Sequence, residues 1–326
     1  MPAETTRLEP TAFRGDFEPL AAMLQKAWAV NKEVPLLYTA AFLESACRYP
    51  GTDFEVCPTV YDGDEPVAFV AGLPRHFAVN GEKQSLILTS FLTSAAGHQN
   101  ASYGLSVWRN VHVRAREAGY AGALSLCVEG DQMNKILTAA ARLFRFNTRH
   151  IFAVDYLTRF LRFGQQAQEP SAPAADSDID LFLELAACLP ETAPFARLWT
   201  REEAEWQCRL RLGALTVTAR RGQRRGMLTG YVAEVASKPP VKALAIEDLL
   251  WGDLEPAERK DLLEEFLRAA AFRGARIASC PVMNYADLEP FRSAGFRPTK
   301  RRVHIYLTRW DNVTLPEFPA VYMDVL

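Results

Sequence analysis

The sequence predicts an α+β fold of mixed α/β order, built as two similar lobes, each a mixed, mostly antiparallel sheet flanked by helices. Three observations predict it. Period-two strands joined by hairpin turns run through residues 55–92. A strand, loop, helix, strand crossover then leads from Leu86 to Val128, which requires at least one parallel pair in that sheet. The same broad order of elements returns after residues 163–178, a stretch of Gln, Pro, Ala, Ser and Asp with linker composition. The lobes are therefore placed at 1–162 and 179–326.

Each element has its own signal. Asp16 opens a helix with Phe17, Leu20, Leu24 and Trp28 on one face, and a second helix is expected at 35–47. The period changes to two at 55–61. Asp62-Gly63-Asp64 then turns the chain into a strand running through Phe69 to Val79, and Asn80-Gly81 returns it as a strand from Ser85 to Leu92. A helix from Gly104 aligns Leu105, Trp108, Val111 and Ala115 and stops at Gly119. Residues 122–128 form a buried strand, Asp131 caps a helix to about Phe144, and a strand at 151–157 is expected to close the lobe. The second lobe should carry helices at 179–189 and 200–209 and strands at 214–219, 227–236 and 241–250. A helix at 256–273, a strand at 275–281, a helix at 284–293 and a strand at 303–307 complete it.

Composition narrows the function classes. With 49% hydrophobic and 23% charged residues the chain can build a core, which excludes a disordered protein. A net charge of −2 argues against a broad nucleic-acid-binding face. The basic turn 220–225 and the triplet 300–302 have no interleaved aromatic residues and read as solvated charge. No run reaches the roughly 18–20 apolar residues of a membrane span, and MPAETTRLEP lacks the features of a signal peptide. A cytoplasmic protein is expected, off the membrane, as a monomer or homodimer. Six cysteines lie scattered without C-x-x-C or a histidine at ligand spacing, so neither a disulfide framework nor a metal site is expected.

One stretch has the outline of a ligand site: Thr93-Ser94-Ala95-Ala96-Gly97-His98-Gln99-Asn100-Ala101-Ser102-Tyr103-Gly104. A loop of small residues opening into a helix aims free N–H groups and a positive dipole end at an anion. No acidic residue occurs from Thr93 to Arg109. The corresponding loop of the second lobe, Trp251-Gly252-Asp253-Leu254-Glu255-Pro256-Ala257-Glu258, supplies its own carboxylates and a proline at the helix start. An anionic ligand is therefore assigned to residues 92–104, and the second lobe is read as degenerate.

With these residues in view, the chain resembles the GNAT N-acyltransferase superfamily, in particular its members with two tandem lobes. The family's acyl-CoA loop, Gln/Arg-x-x-Gly-x-Gly/Ala, is matched by Gln99-Asn100-Ala101-Ser102-Tyr103-Gly104, with Ser102 where the first glycine is usual. A negative φ at Ser102 would accommodate its Cβ. Ala115-Arg116-Glu117-Ala118-Gly119-Tyr120 looks like the family's helix end, and Asn284 with Ala294-Gly295-Phe296 like its late helix and turn.

The resemblance implies acetyl-CoA or another acyl-CoA as co-substrate, with Leu92, Thr93, Ser94, Gln99, Asn100, Ala101, Ser102, Tyr103 and Gly104 around it. The implied reaction is acyl transfer to a small-molecule amine. The parallel strands are expected to splay after Leu92 and Leu126, with Glu129 as first candidate base and His98 as a second proton-transfer candidate. His76 and Trp108 read as structural. The family's frequent catalytic tyrosine falls on Ala141 and Phe291, which keeps a non-catalytic binding or scaffold protein as the alternative. An aminoacyl-tRNA-dependent transferase is a third reading, opposed by the net charge.

Overall fold

The computed structural model describes residues 8–29, 36–95, 97, 102–130, 132–161, 173–237, 239–311, 313 and 315–325. The chain begins with β1 (Thr11–Ala12) and α1 (Phe17–Trp28), whose first turn is capped by Asp16 accepting from the Glu18 N–H at 3.3 Å. The second helix, α2 (Ala40–Cys47), starts later than the expected 35. Thr39 caps it through the Phe42 N–H at 3.1 Å, and Leu36 forms a bridge to Val235 instead. Asp53 likewise caps a short 3-10 turn, Phe54–Val56, so the first long hairpin begins only at β2 (Pro58–Asp62).

The hairpin strands β3 (Glu65–Val79) and β4 (Glu82–Ser94) are followed by α3 (Tyr103–Glu117), β5 (Gly122–Val128), α4 (Gln132–Leu143) and β6 (Asn147–Phe160). Helix α5 (Asp176–Ala187) starts inside the stretch read as linker. Then come β7 (Phe195–Leu198), which sequence reasoning missed, α6 (Arg201–Glu205) and a π-turn at Trp206–Leu210. The second hairpin is β8 (Ala214–Arg221) and β9 (Arg224–Val235), and β10 (Val241–Leu250), α7 (Pro256–Phe272) and β11 (Ala275–Val282) repeat the crossover. The late helix is only α8 (Glu289–Ser293), because Asn284 takes φ +63° and bridges Val321. Strands β12 (Arg297–Arg309) and β13 (Val321–Tyr322) end the chain.

Among the described residues these strands form one sheet in the order β1-β2-β3-β4-β5-β12-β6-β11-β10-β9-β8, with β7 beside β3 and β13 beside β7. Two pairs on the main path are parallel, β4 with β5 and β10 with β11. The sequence expectation that residues 151–157 close the first half is corrected here. Strand β6 pairs with β11 and β12, and it is β12, from the other end of the chain, that pairs with β5. Each half of the sheet is thus completed by a strand of the other half, β5 by β12 and β11 by β6.

Helices α1 and α2 cover one face of the first half, where Leu86, Leu88 and Leu124 join Leu20, Phe42 and Leu43 in the core. On the opposite face Val107 and Val111 of α3 pack on Ile87 and Ala123, and Trp108 packs on Leu137 and Cys127. Trp108 is buried, as its place on the apolar stripe predicts. The six cysteines are unpaired with one another, and only Cys188 is exposed. No helix among the described residues is long and apolar enough to cross a membrane.

Candidate functional site

The parallel pairing of β4 with β5 is short. It joins Leu86–Thr89 to Gly122–Ser125 and ends where Thr89 donates its hydroxyl to the Leu124 carbonyl (2.9 Å) and meets Ser125 Oγ (2.9 Å). Beyond that clasp β4 stays with β3 and β5 stays with β12, so a gap opens between residues 90–94 and 126–128. The splay therefore begins after Thr89 and Ser125, earlier than the expected Leu92 and Leu126. At the same point β4 bulges: Ala71 faces Ser90 and Phe69 faces Thr93, leaving Phe91 and Leu92 opposite the single residue Val70. Phe91 has φ +59°, a conformation that costs an L-residue roughly 1–2 kcal/mol. Its ring is held between Tyr38 (5.8 Å) and Phe42 (6.4 Å). A bulge turns backbone groups out of the ladder, here at the edge of the gap.

Helix α3 begins beside this bulge. Ser102, its N-cap, has φ +59°, not the negative φ that would accommodate its Cβ, and its side chain makes no capping bond. The first turn carries no acidic residue. A Cβ at Gly104 would stand 2.7 Å from Ser94 Oγ, which would have to turn aside, so the helix start lies directly on the end of β4. Leu92, Ser94, Ser102, Tyr103 and Gly104 are thus brought together. Thr93 is buried, and its hydroxyl accepts from the Trp28 indole N–H at 2.9 Å. His98, Gln99, Asn100 and Ala101 lie outside the described residues.

The second half repeats the opening and fills it. Pairing of β10 with β11 ends at Ala245 and Ser279, and a bulge places Glu247 at the position matching Phe91. Here the Tyr285 hydroxyl accepts from the Leu249 N–H (3.0 Å) and donates to the Glu247 carbonyl (3.3 Å), occupying backbone groups that a ligand would need. At the start of α7, Glu258 accepts from the Glu255 N–H (2.9 Å) and pairs with Arg224 (2.7 Å), while Pro256 takes the first helical position. The loop is folded against β9, with the Arg225 N–H donating to Asp253 at 2.7 Å. These bonds engage the carboxylates of the loop that the sequence reading sets against an anion.

At the far end of β5, the Glu129 N–H donates to the Arg302 carbonyl (2.9 Å), and its exposed carboxylate lies 3.7 Å from His304 Nε2. His304 Nδ1 lies 3.1 Å from His150 Nε2, and His150 Nδ1 lies 2.6 Å from Glu317. His150, His304 and Glu317 were not singled out from the sequence. Period-two alternation in 303–307 could have put His304 on the face opposite Val303 and Ile305, but the pairing of β12 with β5 and β6 joins residues about 150 positions apart. His76 is half-buried and bonds Ser85 Oγ at 3.0 Å, a structural role. Among the described residues no three His, Cys, Asp or Glu side chains are grouped to hold a metal ion.

The last strand is held by charge. Asp324 is buried between Arg75 (2.7 Å) and Arg197. Burial alone would raise its carboxyl, but the two guanidinium groups hold it far below the usual range. Arg197 also donates to Tyr49, which donates to Glu203. The basic turn of the second hairpin is paired as well, Arg220 with Asp178 (3.2 Å) and Arg225 with Glu184 (2.5 Å).

The architecture is similar to that of solved acyltransferases. Saccharomyces cerevisiae N-myristoyltransferase with bound myristoyl-CoA gives a TM-score of 0.71 at 13% identity, over 93% of this chain and 83% of that one. A second structure of that yeast enzyme, with myristoyl-CoA and inhibitors, gives 0.71 at 12% identity over 97% and 81%. A GCN5-related N-acetyltransferase from Anabaena variabilis gives 0.52 at 10% identity over 92% and 72%. No family profile and no curated protein sequence matches the chain. With a bulged strand, a splayed parallel pair and a crossover helix present in both halves of one sheet, this chain has the two-lobe, tandem GNAT fold.

Proposed function

We propose that the chain is an acyl-CoA-dependent N-acyltransferase that acylates a small-molecule amine from acetyl-CoA or a longer acyl-CoA. The observation that carries the reading is the parting of β4 from β5 after Thr89, with the bulge at Phe91 beside the uncapped start of α3. In this reading the pyrophosphate sits at the helix N-terminus, near Ser102 and Tyr103, where N–H groups and dipole favour it. The pantetheine arm lies in the gap. The backbone N–H groups at Phe91 and Leu92 stabilise the oxyanion of the tetrahedral intermediate, the role that pre-set backbone donors play in acyl transfer. Glu129, at the end of β5, takes part in removing the amine proton. Ala141 and Phe291 are buried apolar side chains, so neither lobe uses a tyrosine there. The activities of the similar enzymes support the reaction class.

The test is calorimetry with coenzyme A, acetyl-CoA and myristoyl-CoA, followed by thiol release over a panel of amines. Binding without turnover of any amine would favour the non-catalytic alternative. Absence of binding by all three thioesters and thiols would overturn the assignment.

A further inference from the structure

Two histidines from opposite halves of the chain stand in one line with two carboxylates, and the sheet is irregular at the place that aligns them. On β12, His304 faces Ala153 of β6 and Ile305 faces Phe152, but Tyr306 faces His150, so Ile151 is an extra residue in β6. In a regular ladder His150 would oppose Leu307 and point into the core with it. A one-residue shift moves a side chain to the other face of a sheet. The bulge at Ile151 therefore brings His150 to the face that carries His304, Tyr306 and Cys127, while Ile151 itself fills the core.

The hydrogen-bond chemistry of this line has one consistent solution at neutral rings. A carboxylate only accepts, so His150 Nδ1–H donates to Glu317. His150 Nε2 is then an acceptor and takes the Nδ1–H of His304. That leaves the lone pair of His304 on Nε2, directed at the end of β5, where Glu129 stands 3.7 Å away. Glu317 at the other end is mostly in solvent, with 71% of its side chain exposed. Asp155 on β6, whose carboxyl is lowered chiefly by its hydrogen bond to Arg302 on β12 at 2.7 Å, also lies within the influence of His304.

The geometry points to a proton relay, His304 to His150 to Glu317, that carries the acceptor's proton from the mouth of the acyl-CoA gap to solvent. The inference rests on the acyltransfer reading. An ammonium RNH3+ gives a proton to His304 Nε2. The Nδ1 proton of His304 passes to His150 Nε2, and the Nδ1 proton of His150 passes through Glu317 to water. The freed lone pair forms the C–N bond at the thioester carbon, and the nitrogen releases a second proton to water. The C–S bond then breaks. The leaving thiolate takes the Nε2 proton of His304 as a proton from water returns along the line, which restores the resting rings. The balance is RNH3+ plus R′CO–SCoA giving R′CO–NHR, CoASH and one H+. Glu129 stabilises the imidazolium formed at His304, and His150 and Glu317 are positioning residues.

The first measurement needs no substrate: nitrogen NMR of the histidine-labelled full chain, with His150→Asn and Glu317→Gln. The expected result is Nδ1–H tautomers for both rings and a His304 titration midpoint that moves in both variants. Because Glu317 is exposed, its variant will fold. Independent titration of His304, unmoved by Glu317→Gln, would overturn the relay. The second measurement is single-turnover CoASH release. His304→Gln should slow it by roughly 100-fold or more. Glu317→Gln should lower kcat and shift the acid limb of its pH profile with the KM for acyl-CoA unchanged. An unshifted profile counts against the relay. Coupled titration together with failure to bind any acyl-CoA would leave the proton line standing and remove the acyltransferase.

Discussion

Replacing Ser102 with Asp separates the stability of α3 from its proposed role in holding a pyrophosphate, because the two should respond with opposite sign. Ser102 makes no capping bond and is already left-handed, a conformation Asp tolerates, so nothing in the fold is lost. A carboxylate at this N-terminus gains about 0.3–1 kcal/mol from the helix dipole. A bound pyrophosphate would feel the same charge as repulsion. One pair of unit charges at roughly 6 Å costs about 0.7 kcal/mol at the dielectric of water and about 2.8 kcal/mol at an effective value of 20. Affinity for acyl-CoA should therefore fall by about 3-fold to 100-fold while urea-unfolding stability holds or rises. Calorimetry at low and high salt reads the effect, since screening should shrink the loss. Ser102→Asn, with the same shape and no charge, is the control. Equal binding by the Asp and Asn variants at low salt would refute the placement of the pyrophosphate.

Four further outcomes follow from packing and burial. Gly104→Ala should destabilise the chain through the 2.7 Å approach to Ser94 Oγ, whereas in a Ser94→Ala background it should become neutral or add up to about 1 kcal/mol, a coupling that a double-mutant cycle in urea measures. Asp324→Asn leaves Arg75 and Arg197 buried without a full counter-charge and should cost about 3–5 kcal/mol by the same measurement. His112, whose Nδ1–H bonds the Trp108 carbonyl, is held by burial at about 4, so its contribution is full above about pH 6.5 and is lost on acidification by about 1.4 kcal/mol per unit. Burial raises Asp248 to about 6, so its contribution is full below about pH 4 and is lost as pH rises to 6. The two slopes oppose each other between pH 4 and 6: His112→Phe should leave stability falling with rising pH there, and Asp248→Asn should steepen the loss on acidification.

The elements most readable from sequence were those whose signals are local. Asp16 and Gly119 bracket helices because capping depends on a few neighbouring groups, and Asp62-Gly63-Asp64 makes a turn wherever it occurs. The contrast between the two helix-opening loops was also local, since Glu255, Pro256 and Glu258 act within one helical turn. What the sequence left hidden depends on long-range pairing. The left-handed Phe91 is not a glycine and shows no turn chemistry; rings from α2 and the segment before it hold it in place. Tyr285 seals the second gap from more than thirty residues away in sequence.

The strand exchange has the largest consequence for function. The linker composition of 163–178 separates two halves along the chain, yet β5 is bonded on its free side by β12 and β6 lies among the strands of the other half. A fragment ending before the linker would expose the unpaired edge of β5, a row of free N–H and C=O groups of the kind that seeks another strand. It would also lose His304. The opening that the first half forms between β4 and β5 therefore has His304 of the second half beside its wall, while Tyr285 bonds the backbone at the second half's own bulge. Sealing the second gap does not make the second half dispensable, because its strand β12 completes the wall of the first.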